Sequence, residues 1–520
     1  SAAQPMTNFT NDIWIVFNGE IYNHRELRLE LEGLGYIFLT EHSDTEVIIN
    51  SFLEWGIDCV SKFIGMFAFA IWDSRDKNLW LVRDRIGIKP LYFSLLDGRF
   101  AFASEIKALL ADSRQPREID EEGLFHYLSF LTVPAPYTMF KGINKLNPGT
   151  WLRLGPNGLF EEYRYWDALD NTQESEDITE KEYSLRVLEK LRDAIEYRKV
   201  ADVPVGVFLS GGVDSSANAT LFAGSGDEEV MTFSVGYDRE YESYQSELKF
   251  AGEVAESIGA THKEIKLNRK DLESFLPDMV MMQDEPIADP VCIPLYYVAK
   301  LARENGVTVC QVGEGADELY WGYPFWKRTL YLQRLNDSIW IPNILKRITY
   351  KILLVFGFGR RTIVEMLRRA GEDQPIFWGG AEAFTHSAKM KLLAPELRTR
   401  FQNITSWEVI EPIRRRFLRK REKSENLNWM TYLDLNLRLP ELLLMRVDKM
   451  TMAVGLEARV PFLDHRLVEH ALSVPESIKT RQGKLKYLLK TSLEGVISDR
   501  VINRKKQGFG LPLQDWLIEG

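Results

Sequence analysis

Short apolar runs separated by polar turns dominate the first 110 residues and predict a β-rich region. The run over 13–17 indicates a strand that ends at the turn-prone pair Asn18-Gly19. Leucines spaced four and three residues apart predict a helix over 26–34. The remaining strands are predicted over 67–72, 79–83 and 99–104. These elements indicate a β-rich N-terminal domain.

From about residue 180 the pattern changes to strands that alternate with helices. The strands are short runs rich in Val, which is typical of strands buried on both faces. The predicted elements are the helices 180–199, 247–258 and 293–304 and the strands 203–209, 230–235 and 307–312. Because such alternation is typical of a parallel sheet covered by helices, the expected fold class of this part is α/β.

Composition distinguishes several other stretches. The acidic and polar stretch 165–180 predicts a linker between the two parts. Residues 326–425 are aromatic and basic, with helix-like segments but no chemical motif, and 433–454 resumes a long helical pattern. The basic run 414–423 is interpreted as a solvated helix face, with contact to an acidic partner or a lipid headgroup as the alternative.

Size and charge narrow the class of protein. A length of 520 residues suggests two to four domains, and a net charge of −10 argues against a broad electrostatic contact with nucleic acid. Three cysteines without metal-type or disulfide-type spacing indicate a reducing, cytoplasmic enzyme. The charge-free run 123–140 contains two prolines, so we expect a helix ending near Thr132 rather than a membrane span.

The strongest chemical motif is the string Ser210-Gly211-Gly212-Val213-Asp214-Ser215-Ser216, which follows the first Val-rich run. Its glycines allow the backbone to approach a phosphate, and N–H groups at a helix N-terminus face the anion. The hydroxyls of Ser210 and Ser215 add donors, and Asp214 can hold Mg²⁺ beside the pyrophosphate. An ordinary glycine turn is the alternative for a bare Ser-Gly-Gly. The full string resembles the pyrophosphate loop of the N-type ATP pyrophosphatases, and the Walker-type motif of γ-phosphoryl transfer is absent.

A second acidic loop follows the third Val-rich run, over Val312-Gly313-Glu314-Gly315-Ala316-Asp317-Glu318-Leu319-Tyr320-Trp321-Gly322-Tyr323. Taken alone, this acidic loop is most simply a solvated turn. Open α/β sheets, however, bind ligands at the carboxyl ends of their parallel strands. Beside the pyrophosphate loop, its carboxylates are therefore predicted to be functional.

Several strings together resemble the glutamine-dependent asparagine synthetases over most of the chain, least over 326–425. The strings are Phe17–Asn23, Ser43–Glu46, Arg83–Tyr92, Asp284–Pro286, the loop 312–323, Gly455–His465 and Arg504–Phe509. The resemblance implies an Ntn-hydrolase-like αββα glutaminase over 1–165, with its N-terminal part missing. A parallel-sheet synthetase of the ATP pyrophosphatase type would follow over 180–520.

The resemblance also implies roles for individual residues of the glutaminase. Asn18 and Gly19 would form the oxyanion hole, and Glu20 and Asp44 would hold the amino group of glutamine. The family's nucleophile is an N-terminal cysteine, whereas this sequence begins at Ser1 and Cys59 lies among apolar residues. We therefore interpret Cys59 as a core thiol and expect no glutamine hydrolysis by residues 1–520 alone.

In the synthetase part, the resemblance implies an ATP site with Mg²⁺. Glu314 would act as acid/base and face the substrate, Lys486 would stabilise charge on the phosphate, and Asp214 and Asp317 would lie beside the metal. Glu318 is expected to be chiefly structural. The nucleotide would contact Phe208, Ser210, Gly211, Gly212, Asp214, Ser215, Val235, Val312 and Gly313.

The implied activity is that of a ligase, the amidation of aspartate to asparagine with glutamine or ammonia. It would proceed through a β-aspartyl-AMP intermediate and release AMP and pyrophosphate. Another carboxylate acceptor, such as a sugar acid of a surface polysaccharide or a natural-product intermediate, is the alternative, and a scaffold with reduced catalysis is a third. The expected partners are small molecules (glutamine, ATP and the acceptor) without nucleic acid, and a homodimer stays open.

Overall fold

The computed structural model describes residues 3–172, 178–224, 229–242, 244, 246–505, 507–508 and 510–518. Residues 173–177 of the expected linker, and Lys506 and Phe509 of the string 504–509, lie outside these ranges. Among the described residues, no helix combines the length and the apolar character that a membrane span requires.

Two antiparallel sheets form the centre of the N-terminal part. Its strands are β1 (Met6–Thr7), β2 (Ile13–Ile21), β3 (Gly65–Asp73), β4 (Asn78–Arg83), β5 (Tyr92–Leu96), β6 (Arg99–Ala103), β7 (Ile143–Lys145), β8 (Thr150–Leu154) and β9 (Phe160–Arg164). Its helices are α1 (His24–Gly33), α2 (Asp44–Trp55), α3 (Ile106–Leu109) and α4 (Glu121–Phe130). The larger sheet has the strand order β1-β2-β3-β4-β8-β9 and the smaller one β6-β5-β7.

The side chains of β3 point alternately to the two faces of the larger sheet, which shows what packs on each face. Phe67 and Phe69 point into a core shared with α1 and α2, whereas Ala68 and Ala70 point the other way, into a core shared with the smaller sheet. The smaller sheet also contacts α3. The expected αββα layering is therefore confirmed, as is the expected helix within 123–140, since α4 ends at Phe130.

The prediction that Asn18-Gly19 ends the first strand is wrong. β2 continues to Ile21 and pairs with β3 along its whole length. Gly19 has a φ of 143°, and a Cβ there would lie 2.0 Å from the carbonyl oxygen of Met66. This glycine allows a close approach of two strands rather than a turn.

A parallel sheet organises the C-terminal part. Its strands are β10 (Val205–Phe208), β11 (Met231–Tyr237), β12 (Thr261–Leu267), β13 (Val309–Gln311) and β14 (Glu457–Arg459). Their order is β12-β11-β10-β13-β14, and each neighbouring pair is parallel. The three Val-rich runs form β10, β11 and β13 as predicted, and the α/β fold class is confirmed.

Helices cover this sheet and continue beyond it. Those from the linker to the acidic loop are α5 (Glu180–Tyr197), α6 (Val213–Ala223), α7 (Leu248–Ser257), α8 (Arg269–Met282), α9 (Cys292–Glu304) and α10 (Ala316–Leu319). Those of the aromatic and basic stretch are α11 (Pro324–Ser338), α12 (Asn343–Val355), α13 (Thr362–Gly371), α14 (His386–Leu392), α15 (Pro395–Arg400) and α16 (Trp407–Leu418). The last are α17 (Asn426–Asn436), α18 (Met445–Met452), α19 (His465–Ser473), α20 (Glu476–Lys479), α21 (Tyr487–Ser492), α22 (Asp499–Ile502) and α23 (Leu513–Ile518).

Two helical predictions need correction. The pattern over 433–454 is not one helix, because a wide π-type segment over Leu439–Leu444 separates α17 from α18. Pro440 lies in that segment and cannot donate a backbone hydrogen bond. The basic run 414–423 is not uniformly solvated either. Arg414 is buried, and its guanidinium stacks 4.7 Å from the ring of Trp429.

Candidate active site

The turn between β10 and α6 carries the predicted phosphate loop. The Ser215 hydroxyl accepts a hydrogen bond from the backbone N–H of Ser210 at 3.1 Å, and the two hydroxyls lie 3.0 Å apart. Gly212 is the N-cap of α6 and has no side chain with which to cap the N–H groups of the first turn. The loop is thus closed on itself and presents donors at a helix N-terminus, as phosphate binding requires.

The back of this loop is held by Arg504. Its guanidinium donates to the carbonyl of Gly211 at 3.1 Å and pairs with Glu247 at 2.9 Å. Gly211 has a φ of 73°, and a Cβ there would lie 2.7 Å from the Cβ of Phe250. Gly211 therefore shapes the loop from behind, and the sequence did not indicate Arg504 as its clamp.

Lys486 joins the two predicted loops. Its ammonium lies 2.5 Å from a carboxylate oxygen of Asp214 and 2.5 Å from one of Asp317. Burial opposes the charge, but the two carboxylates outweigh it and raise the pKa of Lys486. The residue adopts a left-handed conformation with a φ of 54°, and its N–H donates to Tyr320. The two ion pairs and this backbone hydrogen bond hold Lys486 between the two loops.

Gly322 is what allows Asp317 and Lys486 to meet. A Cβ at this position would lie 1.8 Å from the Asp317 Oδ1 and 2.5 Å from the Lys486 Cε. Its backbone N–H donates to the Asp317 carbonyl at 2.8 Å. Gly322 lies within the acidic loop 312–323, but its role in bringing the two side chains together is not visible in the sequence.

Both loops open into one cavity of about 760 Å³, within the usual range for small-molecule sites. Its lining includes Phe208, Ser210, Gly212, Asp214, Ser215, Val235, Val312, Gly313, Glu314, Asp317 and Lys486. The structure therefore brings together every residue predicted for the nucleotide, except that Gly211 lies behind the wall. Further cationic side chains, to which no role was assigned from the sequence, also line it: Lys327, Arg438, Arg446, Lys484, Lys490, Arg504 and Lys505.

Glu314 faces this cavity in an ion pair with Arg446. The guanidinium lies 2.9 Å from the Glu314 carboxylate and also contacts Asp289. Arg446 belongs to α18 and is buried, so the pair holds the Glu314 side chain in one place. A charged cluster in the otherwise apolar pattern of 433–454 was the sequence signal that could have indicated it.

Glu318 has a different environment, in agreement with its expected structural role. Its side chain is buried, accepts a hydrogen bond from the Tyr323 hydroxyl and lies 3.6 Å from Arg438. Burial raises the pKa of Glu318 to about 7. It supports the wall of the cavity from behind.

The donors near Lys486 fit a magnesium site completed by phosphate. Among the described residues no group of three or more His, Cys, Asp or Glu side chains could hold a metal. Mg²⁺ in nucleotide sites is commonly held by one or two carboxylates plus phosphate oxygens. Asp214 and Asp317, adjacent to the phosphate loop, match that requirement.

The residues predicted for the glutaminase lie around the end of β2. The Asn18 amide donates to the Ser104 hydroxyl at 3.1 Å, and Asp44 accepts from the N–H of Ile21. Glu20 lies 3.4 Å from the guanidinium of Arg459. Burial, followed by the charge of Asp44, raises the pKa of Glu20 to about 8. Two carboxylates close enough to repel each other form a site suited to a cation.

Cys59 lies away from these groups, in a short 3₁₀ segment over Gly56–Ser61. It is fully buried in the apolar core of α1, α2 and the larger sheet, and burial raises the pKa of its thiol. The interpretation of Cys59 as a core thiol is confirmed.

Polar contacts of the buried Asp284 and Glu285 side chains join the two parts of the chain. Lys449 lies 2.6 Å from Asp284, which also accepts the backbone N–H of Ile106. Next to it, Glu285 contacts Lys145 and accepts the N–H of Met139 at 2.9 Å. The string 284–286 does not line the cavity. Its two carboxylates instead fix the position of the N-terminal part.

Comparison with known proteins agrees with this geometry. Residues 186–520 match the family model described as asparagine synthase, and residues 1–166 match that of a glutamine amidotransferase domain. Asparagine synthetase [glutamine-hydrolyzing] 1 of Bacillus subtilis is 37% identical over 99% of this chain and 78% of its own length. Asparagine synthetase [glutamine-hydrolyzing] 3 of the same organism is 31% identical over 97% and 77%. An amidase of Penicillium rubens is 27% identical over 99% and 79%.

The first family model covers well over half of the chain, and the second covers nearly all of its remainder. The residues matched include both loops of the cavity and Lys486. The chain therefore belongs to the asparagine synthase family of carbon–nitrogen ligases, with a glutamine amidotransferase domain ahead of the synthetase.

Proposed function

We propose that this enzyme uses ATP to amidate aspartate to asparagine through a β-aspartyl-AMP intermediate, with release of AMP and pyrophosphate. The observation that carries the proposal is the clamp of Lys486 between Asp214 and Asp317, beside the phosphate loop and in one cavity with Glu314. The division into a glutaminase over 1–165 and a synthetase over 180–520 is part of the same proposal.

Adenylation solves a chemical problem of the acceptor. Ammonia cannot displace an oxide from a carboxylate, so one carboxylate oxygen must first become part of a better leaving group. Attack of that oxygen on the α-phosphorus of ATP makes it part of AMP and expels pyrophosphate. The hydroxyls of Ser210 and Ser215 and the N–H groups of the loop would bind the departing phosphates.

Lys486 would counter the negative charge that accumulates during this attack. Its burial and its ion pairs with Asp214 and Asp317 keep the ammonium at one position before the substrate arrives, so little reorganisation is needed. Asp214 and Asp317 would hold Mg²⁺, which when bound neutralises phosphate charge.

Glu314 would take the surplus proton when ammonia attacks the acyl-adenylate. Arg446 fixes its carboxylate at 2.9 Å and adds a positive charge to the same wall. A wall with both signs of charge suits an acceptor that carries an ammonium and a carboxylate, as aspartate does.

The ammonia would come from glutamine bound near the end of β2. Glu20 and Asp44 would hold its α-ammonium, and Asn18 and Gly19 would supply the oxyanion hole. The raised pKa of Glu20 supports this role, because an arriving cation relieves the repulsion between two buried carboxylates.

The test is a product analysis of the full chain with ATP, Mg²⁺, aspartate and ammonium. We expect one AMP and one pyrophosphate for each asparagine formed, measured by chromatography and phosphorus NMR. ADP and phosphate as the main products would refute the adenylation mechanism.

A different carboxylate is the second candidate acceptor. It is favoured by the likeness to a relative named an amidase, and by the aromatic and basic stretch 326–425, where Lys327 lines the cavity. A panel of amino acids, sugar acids and peptide carboxylates in the same assay separates the two. Pyrophosphate release stimulated by another acceptor but not by aspartate would decide for the alternative.

A further inference from the structure

Helix α12 and the residues flanking it carry apolar side chains on the outside of the molecule. We call this surface the α12 face. It consists of Ile339, Trp340, Ile341, Ile344, Leu345, Ile348, Ile352, Val355 and Phe356, all exposed. Trp340, Val355 and Phe356 are 88%, 84% and 71% exposed. On α12 these positions recur at three- and four-residue spacing, so they form one continuous stripe.

The opposite side of α12 is anchored to the protein. The Lys346 ammonium is buried and donates to the Asn336 side chain at 2.8 Å. The Arg347 guanidinium donates to the carbonyl of Gly371, at the end of α13, at 2.7 Å. A surface helix ordinarily turns its apolar side inward, whereas α12 leaves most of its apolar side chains exposed and buries Lys346. The packing on α13 fixes this orientation.

The segment around the α12 face is strongly basic. Residues 324–361 contain one acidic residue, Asp337, in a chain whose net charge is −10. Their cationic residues are Lys327, Arg328, Arg334, Lys346, Arg347, Lys351, Arg360 and Arg361. Lys351, Arg360 and Arg361 are exposed beside the stripe or just beyond its end. An exposed apolar stripe bordered by cations, with a tryptophan at one end, is the pattern of a helix that lies in a membrane interface.

We infer that the α12 face docks this enzyme on an anionic lipid bilayer, with α12 lying parallel to the membrane surface. The apolar side chains would enter the boundary between headgroups and acyl chains, and the cations would pair with anionic headgroups. A second copy of the chain is a poorer occupant. In a two-fold interface each surface meets itself, so the same cations would face one another.

The position of the face relative to the cavity gives the docking a consequence. α11 begins at the cavity, which Tyr323, Pro324 and Lys327 line, and ends at Ser338, next to the face. Its 15 residues span about 22 Å. Docking would therefore hold the cavity within a short distance of the lipid surface. The inference does not depend on the proposed reaction, since membrane binding is measured without turnover.

The test is flotation of the full chain with vesicles of phosphatidylcholine, with or without about one-third phosphatidylglycerol. We expect binding to the anionic vesicles that weakens with salt, and weak binding to the neutral ones. The double variant Ile348→Glu/Ile352→Glu should reduce binding by about tenfold or more, because it places charges in the stripe. The double variant Arg360→Glu/Arg361→Glu should reduce binding to a similar degree and flatten the salt dependence.

A matched control changes exposed apolar residues elsewhere. Ile37 and Leu39 lie in the N-terminal part and are also exposed, so Ile37→Glu/Leu39→Glu should bind as the unmodified chain does. Thermal unfolding checks that every variant is folded. Failure of the unmodified chain to bind anionic vesicles would overturn the inference. An equal loss of vesicle binding in Ile37→Glu/Leu39→Glu would overturn it as well. Dimers that Ile348→Glu/Ile352→Glu dissociates, without vesicle binding, would assign the face to a second copy instead.

Discussion

Gly322→Ala is the substitution that most directly tests the geometry of the cavity. No positive φ restricts this position, so alanine is compatible with the backbone and its effect is purely steric. The new Cβ would lie 1.8 Å from the Asp317 Oδ1, and contacts under 3.0 Å essentially never occur. The Asp317 carboxylate must therefore move by more than about 1.2 Å, and Lys486, 2.5 Å from the same Cβ, must move with it.

The size of the effect follows from that displacement. Misplacing a group that contacts the reacting atoms by about 1 Å costs on the order of 10²-fold in rate. Overpacking by one methyl group costs about 1–3 kcal/mol of unfolding free energy. We therefore expect pyrophosphate formation to fall by about 10²-fold while the protein stays folded and still binds ATP.

Single-turnover formation of pyrophosphate, with ATP binding by calorimetry and denaturant unfolding alongside, measures these quantities. Gly252→Ala is the matched control, because a Cβ there meets nothing within 4 Å. Gly252 lies inside α7, so alanine should leave the rate unchanged and add about 1 kcal/mol of stability. Near-normal pyrophosphate formation by Gly322→Ala would refute the assignment of Asp317 and Lys486 to the phosphate site.

Three further substitutions test single groups. Lys486→Met should slow adenylation by about 10²-fold or more. It should also lower the unfolding free energy by about 3 kcal/mol in the absence of Mg²⁺, because Asp214 and Asp317 then repel each other. Glu314→Gln should keep ATP binding while amide formation under saturating ammonium falls by about 10²-fold, with Glu318→Gln as the structural comparison. Glutamine binding, followed by calorimetry, should strengthen as pH rises through about 8, where Glu20 ionises, and Glu20→Gln should abolish that dependence.

The raised pKa of Glu20 also has a consequence for stability. Between about pH 4.5 and 8 the folded protein holds a proton on Glu20 that the unfolded chain has released. The stability that Glu20 contributes is therefore fully present below about pH 4.5, the pKa of Glu20 in the unfolded chain. It is lost as the pH rises to about 8, the pKa of Glu20 in the folded protein. Glu20→Gln should accordingly raise the melting temperature above pH 8 and change it little at pH 5.

The sequence was most informative where one physical requirement dominates. Buried parallel strands need continuous apolar runs, and β10, β11 and β13 were predicted for that reason. The strand β12 was missed because it lies at the edge of the sheet and includes His262, Lys263, Glu264 and Lys266 among its apolar residues. Edge strands are partly solvated, so their pattern is mixed.

Predictions failed where tertiary contacts decide the outcome. Asn18-Gly19 has the composition of a turn, yet the close approach of β3 at Met66 makes Gly19 part of a strand. Arg414 lies in a basic run typical of a solvated surface, yet Trp429 offers its ring as a partner. Neither contact is visible without knowing which distant segments meet.

Arg459 shows the same limit at the site itself. The register of the parallel sheet places Arg459 opposite Gln311, and its carbonyl accepts the N–H of Val312 at 2.8 Å. The backbone of Arg459 thus supports the strand end that leads to Gly313 and Glu314. Its guanidinium extends the other way and lies 3.4 Å from Glu20. One residue therefore contacts both candidate sites, and only the pairing of β13 with β14, two strands far apart in the chain, reveals it.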